Sequence, residues 1–210
     1  MKLHMPITSE KVKNHFHYHL WKYVLLAVLS IIGWNMLFTV TRYRVPENLK
    51  VEFFTDGILI PETTAAMDAL MVKIHEDVLP DMEEVSYTFL TNDDTYGQMQ
   101  LTVWIAAGQG NVYLLGGERF ASMAAGGAMA DLQPYIESGA LHAEGLDLTA
   151  GRVRDPNTGK NAQYGVPTAS LPKLGEYGIF PQDAVLSMLA ANGNVDGAVK
   201  FLDYLLVTMR

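Results

Sequence analysis

An apolar stretch near the N-terminus, WKYVLLAVLSIIGWNMLFTVT (Trp21 to Thr41), determines how the rest of the chain is interpreted. No charged residue lies between Tyr23 and Val40. A helix over those positions rises about 27 Å, close to the ~30 Å hydrocarbon core of a bilayer. A cleaved signal peptide would show a shorter apolar core and a small-x-small cleavage site, and a core helix would show a polar face. The stretch has neither, so we predict an uncleaved transmembrane helix over 21–41 that contacts the lipid bilayer.

Basic residues flank this helix on both sides and set its expected orientation. The side before the helix carries one more of them than the side after it; they are Lys2, Lys11, Lys13 and Lys22 before, and Arg42, Arg44 and Lys50 after. Because basic flanks favour the cytoplasm, we predict a single-pass protein of the cell membrane with a cytoplasmic N-terminus and an extracytoplasmic C-terminal domain. The expected organisation is a cytoplasmic tail (1–20), the helix (21–41), a linker (42–49) and one extracytoplasmic domain (50–210).

The charge and cysteine content of the region after the helix exclude several classes of function. Residues 45–210 hold nine basic and 22 acidic side chains, a net charge of −13. Nucleic-acid affinity depends on lysine and arginine at phosphates, so we predict no nucleic-acid partner. The chain has no cysteine, which excludes disulfides, iron–sulfur clusters, cysteine nucleophiles and a lipid-modified cysteine anchor.

Short apolar strands alternate with longer helical patterns through the C-terminal domain. The strands predicted by composition are 50–55, 85–90 and 111–115, with a hairpin in RVRDPNTGKNAQYGVP and a strand-like YGIF at 177–180. The predicted helices are 61–79, a helix ending near Ala107, GERFASMAAGG, 131–138, PQDAVLSMLAANG and NVDGAVKFLDYLLV, the last capped by Asn194. This alternation predicts an α/β fold of three layers, with a parallel or mixed sheet flanked by helices.

Three stretches of the domain resemble bacterial extracellular solute-binding proteins, the receptors of ABC importers with the type II periplasmic binding-protein fold. They are LTVWIAAGQGNVYLLGGERFASMAAGGAMADLQPYI (101–136), GKNAQYGVPTAS (159–170) and VDGAVKFLDYLL (195–206). The resemblance implies one lobe of such a receptor. Because the connection between YGVP and EYGIFPQDA is too short to hold another lobe, we expect the second lobe to be missing.

The resemblance implies a non-enzymatic, membrane-anchored domain that binds a small solute (a sugar, an amino acid or a peptide) together with the membrane subunits of an ABC-type transport system. The alternative is an interaction or structural component of a membrane complex. Such a protein would dock a partner or a second copy through the surface left by the missing lobe.

Candidate ligand residues follow from the rule that open α/β sheets bind ligands beyond the carboxyl ends of their strands. They are Thr55, Asp56, Asn92, Asp93, Gly117 and Glu118, with Thr168 and Ser170 after the YGVP strand. The competing interpretation is that these residues only form turns and cap helices. Trp104 and Tyr113 are suited to stacking on a sugar, but their periodic surroundings favour packing in the core.

No pattern in the sequence indicates catalysis, a cofactor or a metal. The domain has only His75 and His142, and neither lies in a HExxH or GxSxG motif. In the tail, His15 and His19 would share a helix face and could hold a metal, but no carboxylate lies near them and amphipathic rings are common at a membrane interface. We therefore predict no enzymatic activity, no cofactor and no metal site.

Overall fold

A computed structural model describes residues 9–56, 61–90, 94–155, 158–179 and 183–210. The chain divides into two compact units, with the boundary in the sequence between Arg44 and Val45. In the second unit, the helices are α2 (Pro61–Asp77), α3 (Asp94–Ala106), α4 (Gly117–Ala125), α5 (Gln133–Glu137) and α6 (Val195–Thr208). The strands are β1 (Lys50–Thr55), β2 (Glu84–Phe89), β3 (Val112–Gly116), β4 (Arg152–Arg154), β5 (Asn161–Gln163), β6 (Gly165–Pro167) and β7 (Ala184–Met188).

The first unit consists of one helix, α1 (Ser9–Thr41). Its segment from His17 to Thr41 is long and apolar enough to span a membrane, and none of it is buried against the rest of the described chain. The hydroxyl groups of Ser30, Thr39 and Thr41 donate hydrogen bonds of 2.7–2.8 Å to backbone carbonyls four residues earlier. Each of these polar side chains is therefore satisfied within the helix, which is what an apolar solvent requires.

The second unit is built on a mixed five-stranded sheet with the order β2-β1-β3-β7-β6. Strand β1 pairs in parallel with β2 and β3, whereas β7 runs antiparallel to both β3 and β6. Strands β4 and β5 form a separate antiparallel hairpin, as predicted. The carboxyl ends of β1, β2, β3 and β6 therefore lie at one edge of the sheet, together with the amino end of β7.

Side chains alternate between two cores, one on each face of the sheet. Val51, Phe53 and Leu114 pack with α2 and α6 on one face. Phe54 and Tyr113, from the same two strands, pack with α3 and α4 on the other. Helices thus cover both faces, and the predicted three-layer α/β fold is confirmed.

The segment predicted as a helix from Pro181 to Gly193 instead contains a strand. Residues 184–188 form β7, which lies between β3 and β6 and is buried at every position. A strand covered on both faces is mostly apolar, as β7 is apart from Ser187, so its sequence lacks the two-residue alternation that distinguishes a strand from a short buried helix.

The strand predicted for YGIF at 177–180 is also wrong over its described residues. Tyr177 ends a 3₁₀ helix that begins at Pro172, and Gly178 adopts a left-handed conformation with φ 75°. A left-handed residue ends a helical turn and cannot continue an extended strand. Its apolar character has another cause, since Ile179 is buried in the core that includes α2 and α6.

Candidate functional site

The carboxyl edge of the sheet brings together residues that are far apart in sequence. Thr55 and Asp56 end β1, Gly117 follows β3, and Thr168 follows β6. The amino end of β7 meets this group, because the Thr168 hydroxyl donates a 3.0 Å hydrogen bond to the carbonyl of Ala184. These residues therefore come from three of the four strand ends at this edge, where they meet the start of β7.

Asp56 forms a half-buried ion pair at this edge. Its Oδ1 lies 2.6 Å from Nη1 of Arg119, and each side chain is 15% exposed. The Gly116 backbone N–H donates to Asp56 Oδ2 at 3.2 Å. Arg119 lies in the first turn of α4, so the pair joins the end of β1 to the helix that follows β3. Sequence analysis missed Arg119, although its position just after Gly116 and Gly117 was the available signal.

Backbone packing is tight where α4 begins. A Cβ atom at Gly117 would lie 3.2 Å from the carbonyl oxygen of Asp183, just before β7. Asp183 itself has φ 60°, in the left-handed region that few non-glycine residues adopt and that aspartate tolerates better than most. A side chain at position 117 would press on this already constrained backbone, so a glycine suits the position.

Thr55 is the most unusual polar side chain of the edge. It is fully buried, and its hydroxyl has no hydrogen-bond partner among the described residues. Thr55 shares a sheet face with Val51 and Phe53, so the hydroxyl lies at the rim of the core that those residues form. A buried hydroxyl without a partner costs free energy, which is why such groups often mark a site for water or a ligand.

The remaining predicted residues are less constrained. Glu118 is exposed in the first turn of α4, and Ser170 is half-buried at the end of a 3₁₀ helix that begins at Thr168. Asn92 and Asp93 lie outside the described residues. The edge thus gathers six of the predicted residues, namely Thr55, Asp56, Gly117, Glu118, Thr168 and Ser170.

Trp104 and Tyr113 pack in the core rather than at this edge. Phe54 stacks on Tyr113 with ring centroids 5.1 Å apart and contacts Trp104 edge-on at 4.8 Å. The Tyr113 hydroxyl donates to the carbonyl of Gln109. Burial, reinforced by the charge of Glu52, raises the pKa of Tyr113. These contacts fill the space between the sheet and α3.

The histidines of the domain each have a structural partner. His75 Nε2 lies 2.8 Å from the carbonyl of Met82, and His142 Nδ1 lies 3.0 Å from Asp203 Oδ1. Over the described part of the chain, no group of three or more His, Asp or Glu side chains could hold a metal ion.

No protein-family model and no curated protein sequence matches this chain. Several solved structures are similar to it. They include a family 1 extracellular solute-binding protein from Alicyclobacillus acidocaldarius, with 14% identity and a TM-score of 0.44. An ABC substrate-binding protein from Listeria monocytogenes in complex with cycloalternan has 22% identity and a TM-score of 0.40. An N-glycan transport solute-binding protein from Streptococcus pneumoniae has 18% identity and a TM-score of 0.39.

These similarities cover a part of each protein. They span 60%, 55% and 56% of this chain, but only 29%, 28% and 24% of the respective solved chains. All three solved structures are solute-binding proteins, the class that the stretches 101–136, 159–170 and 195–206 resemble. The chain thus spans less than a third of the length of these solved proteins.

Proposed function

We propose that this chain is a membrane-anchored, extracytoplasmic, non-enzymatic domain that binds a small solute at the carboxyl edge of its sheet. The observation that carries this proposal is the convergence of Thr55, Asp56, Gly117, Thr168 and Ser170 at that edge. Ligands of open α/β sheets bind beyond the carboxyl ends of the strands, so these residues have the position that a ligand site requires.

The chemistry of the edge supports an uncharged or weakly charged ligand. The charges of Asp56 and Arg119 neutralise each other within the ion pair. The remaining polar groups include the hydroxyls of Thr55 and Ser170 and the exposed carboxylate of Glu118. Hydroxyl and carboxylate groups form hydrogen bonds with sugars, amino acids and peptides, the solutes that the sequence resemblance implies.

The test measures thermal unfolding of the full chain in lipid nanodiscs against a panel of sugars, amino acids and short peptides. A ligand present at 100 times its Kd would stabilise the folded protein by about 2.7 kcal/mol and raise the midpoint by several degrees. Ser170→Ala and Glu118→Gln should abolish the rise caused by a solute that binds at the strand edge, without lowering the midpoint of the free protein, because both side chains reach solvent.

Glu76→Gln, in the last turn of α2, is the matched control and should leave the ligand response unchanged. Light scattering on the same samples reports the oligomeric state. A panel in which no solute gives a rise that Ser170→Ala or Glu118→Gln abolishes, together with a stable dimer, would overturn the proposal and favour the interaction function.

Helix α3 carries the observation that favours the alternative, a protein that docks a partner. Tyr96, Met99 and Val103 follow one face of the helix and are 56–60% exposed. No charged residue occurs between Thr95 and Gly117, so this face is apolar and uncharged within a domain of strongly negative net charge. Exposed apolar stripes of this kind are typical of docking surfaces. Met99→Lys and Val103→Lys should dissociate a complex that forms there, as measured by light scattering.

A further inference from the structure

An open cavity of the domain lies beside helix α6 and shares no lining residue with the strand edge. It has a volume of about 590 Å³, within the range of small-molecule sites. Its apolar lining comes from Val78, Tyr204 and Val207, the last of which is 53% exposed. Its charged lining comes from the loop after α5, through His142 and Glu144, and from α6 itself. This combination is an apolar floor with charged groups around it.

Two side chains hold the loop against α6. Asp203 Oδ1 accepts hydrogen bonds from the backbone N–H of His142 at 2.7 Å and from the His142 ring at 3.0 Å. Arg210 donates from Nη1 to the carbonyl of Glu144 at 3.2 Å, from Nη2 to the carbonyl of His142, and from Nε to the carbonyl of Leu206 at 2.8 Å. The positions of His142 and Glu144 are therefore fixed by groups that are themselves fully engaged.

Two charged groups that line the cavity take no part in this hydrogen-bond network through their side chains. The carboxylate of Glu144 and the ammonium group of Lys200 have no ion-pair or hydrogen-bond partner in the part of the chain that the structure describes. They are of opposite sign, and both border the same apolar floor. A ligand that satisfied both would carry an ammonium group, a carboxylate and an apolar body.

We infer that this cavity binds a free α-amino acid with a branched or aromatic apolar side chain. Its ammonium group contacts Glu144, its carboxylate contacts Lys200, and its side chain covers Val78, Tyr204 and Val207. Asp203 and Arg210 also line the cavity, and we assign them as positioning residues because their hydrogen bonds hold the loop that carries His142 and Glu144. This site is separate from the one proposed at the strand edge.

The test uses ligand-observed saturation-transfer NMR and calorimetric titration of the full chain in lipid nanodiscs, with L-leucine and L-phenylalanine as probes. Both should bind saturably, and glycine, which lacks the apolar side chain, should not. Glu144→Gln and Lys200→Met should each weaken binding of L-leucine by about fivefold, the upper range for a partly exposed ion pair.

Two analogues assign each contact to its charge. N-acetyl-L-leucine lacks the ammonium group, so Glu144→Gln should not weaken its binding further. L-leucinamide lacks the carboxylate, so Lys200→Met should not weaken its binding further. Glu76→Gln and Lys73→Met, on exposed positions of α2, are the matched controls and should bind L-leucine like the unaltered protein.

Absence of saturable binding by both probes would overturn the inference. So would a loss of L-leucine binding in Ser170→Ala or Glu118→Gln with no loss in Glu144→Gln and Lys200→Met, because the amino acid would then occupy the strand edge. All four altered side chains reach solvent, so thermal unfolding of the free variants should match that of the unaltered protein and a folding defect would be detected directly.

Discussion

The ion pair of Asp56 and Arg119 makes the sharpest stability prediction at the scale of single residues. Arg119→Met keeps the apolar stem but leaves the Asp56 carboxylate, 15% exposed, without its countercharge. We expect a loss of about 2 kcal/mol, less than the 3–5 kcal/mol typical of a fully buried broken pair. Denaturant unfolding of the full chain measures it.

The double variant Asp56→Asn/Arg119→Met should recover part of that loss, because it removes the uncompensated charge. Lys73→Met, an exposed lysine on α2, is the comparison for the general effect of removing a cation. An Arg119→Met protein that is as stable as Lys73→Met would show that the pair contributes nothing.

Because of Tyr87, we expect the free energy of unfolding to fall at alkaline pH. Burial and the hydrogen bond that its hydroxyl donates to Asp68 raise the pKa of Tyr87 from 10.0 to about 12. The unfolded state therefore loses this proton first, and the stabilisation present below pH 10 is lost as the pH rises towards 12. Tyr87→Phe should flatten this decline in the free energy of unfolding. A parallel decline in both proteins would assign it to other groups.

Individual site residues differ in how far the sequence predicts them. Thr55 and Asp56 were predicted, because a strand followed by a turn marks its own carboxyl end. Arg119 was not, because its partner lies 63 residues earlier and only the parallel pairing of β1 with β3 brings the two together. That the Thr55 hydroxyl lacks a hydrogen-bond partner among the described residues could not be predicted either, because it depends on how the core packs around it.

At the scale of elements, the N-cap of α6 is a feature that could be predicted from the sequence. Asn194 was predicted to cap this helix, and its Oδ1 accepts a 3.0 Å hydrogen bond from the Gly197 N–H. Its Nδ2 also donates to the Lys50 carbonyl at 3.2 Å, which ties the cap to β1. Asn194→Ala should cost about 1–2 kcal/mol of the free energy of unfolding.

Asn194→Asp separates the two roles, since it keeps the accepting oxygen and removes the donor to Lys50. Asn194→Asp should lower the free energy of unfolding by less than Asn194→Ala does, when thermal unfolding of both variants is measured. Equal losses for both variants would mean that losing the contact with β1, together with a buried carboxylate beside the Lys50 carbonyl, costs as much as losing the cap.

Strand β7 shows where element prediction fails. Its sequence, AVLSM, is apolar except for the buried Ser187, because β3 and β6 flank it and helices cover both sides of the sheet. The same composition fits a buried helix. What makes this segment a strand is its pairing with β3, about 70 positions earlier, and with β6, about 20 positions earlier, and neither contact is local. β1 and β3 were predicted correctly because glycine, proline and polar turns bound them.

At the scale of the whole molecule, the two units differ in where their apolar side chains lie. The 45–210 region concentrates its stability in two cores and carries a net charge of −13, which keeps it soluble. The α1 helix presents exposed apolar side chains along its length and satisfies its hydroxyls internally. A helix of that kind is unstable in water and stable in lipid, as expected of a membrane span or of a signal sequence.

The membrane anchor is therefore the prediction that decides the whole organisation. Leu29→Arg places a charge in the middle of the 21–41 segment, and a charged residue at the centre of a membrane helix costs about 2.5–3.5 kcal/mol in insertion. We expect the unaltered chain to stay with the membrane in alkaline carbonate and to keep all 210 residues by intact mass. Leu29→Arg should shift the protein to the soluble fraction, whereas the control Leu29→Val should not.

Protease added outside intact cells tests the orientation. It should digest 45–210 and spare the tail if the N-terminus is cytoplasmic. A shortened mass would instead identify the helix as a cleaved signal sequence.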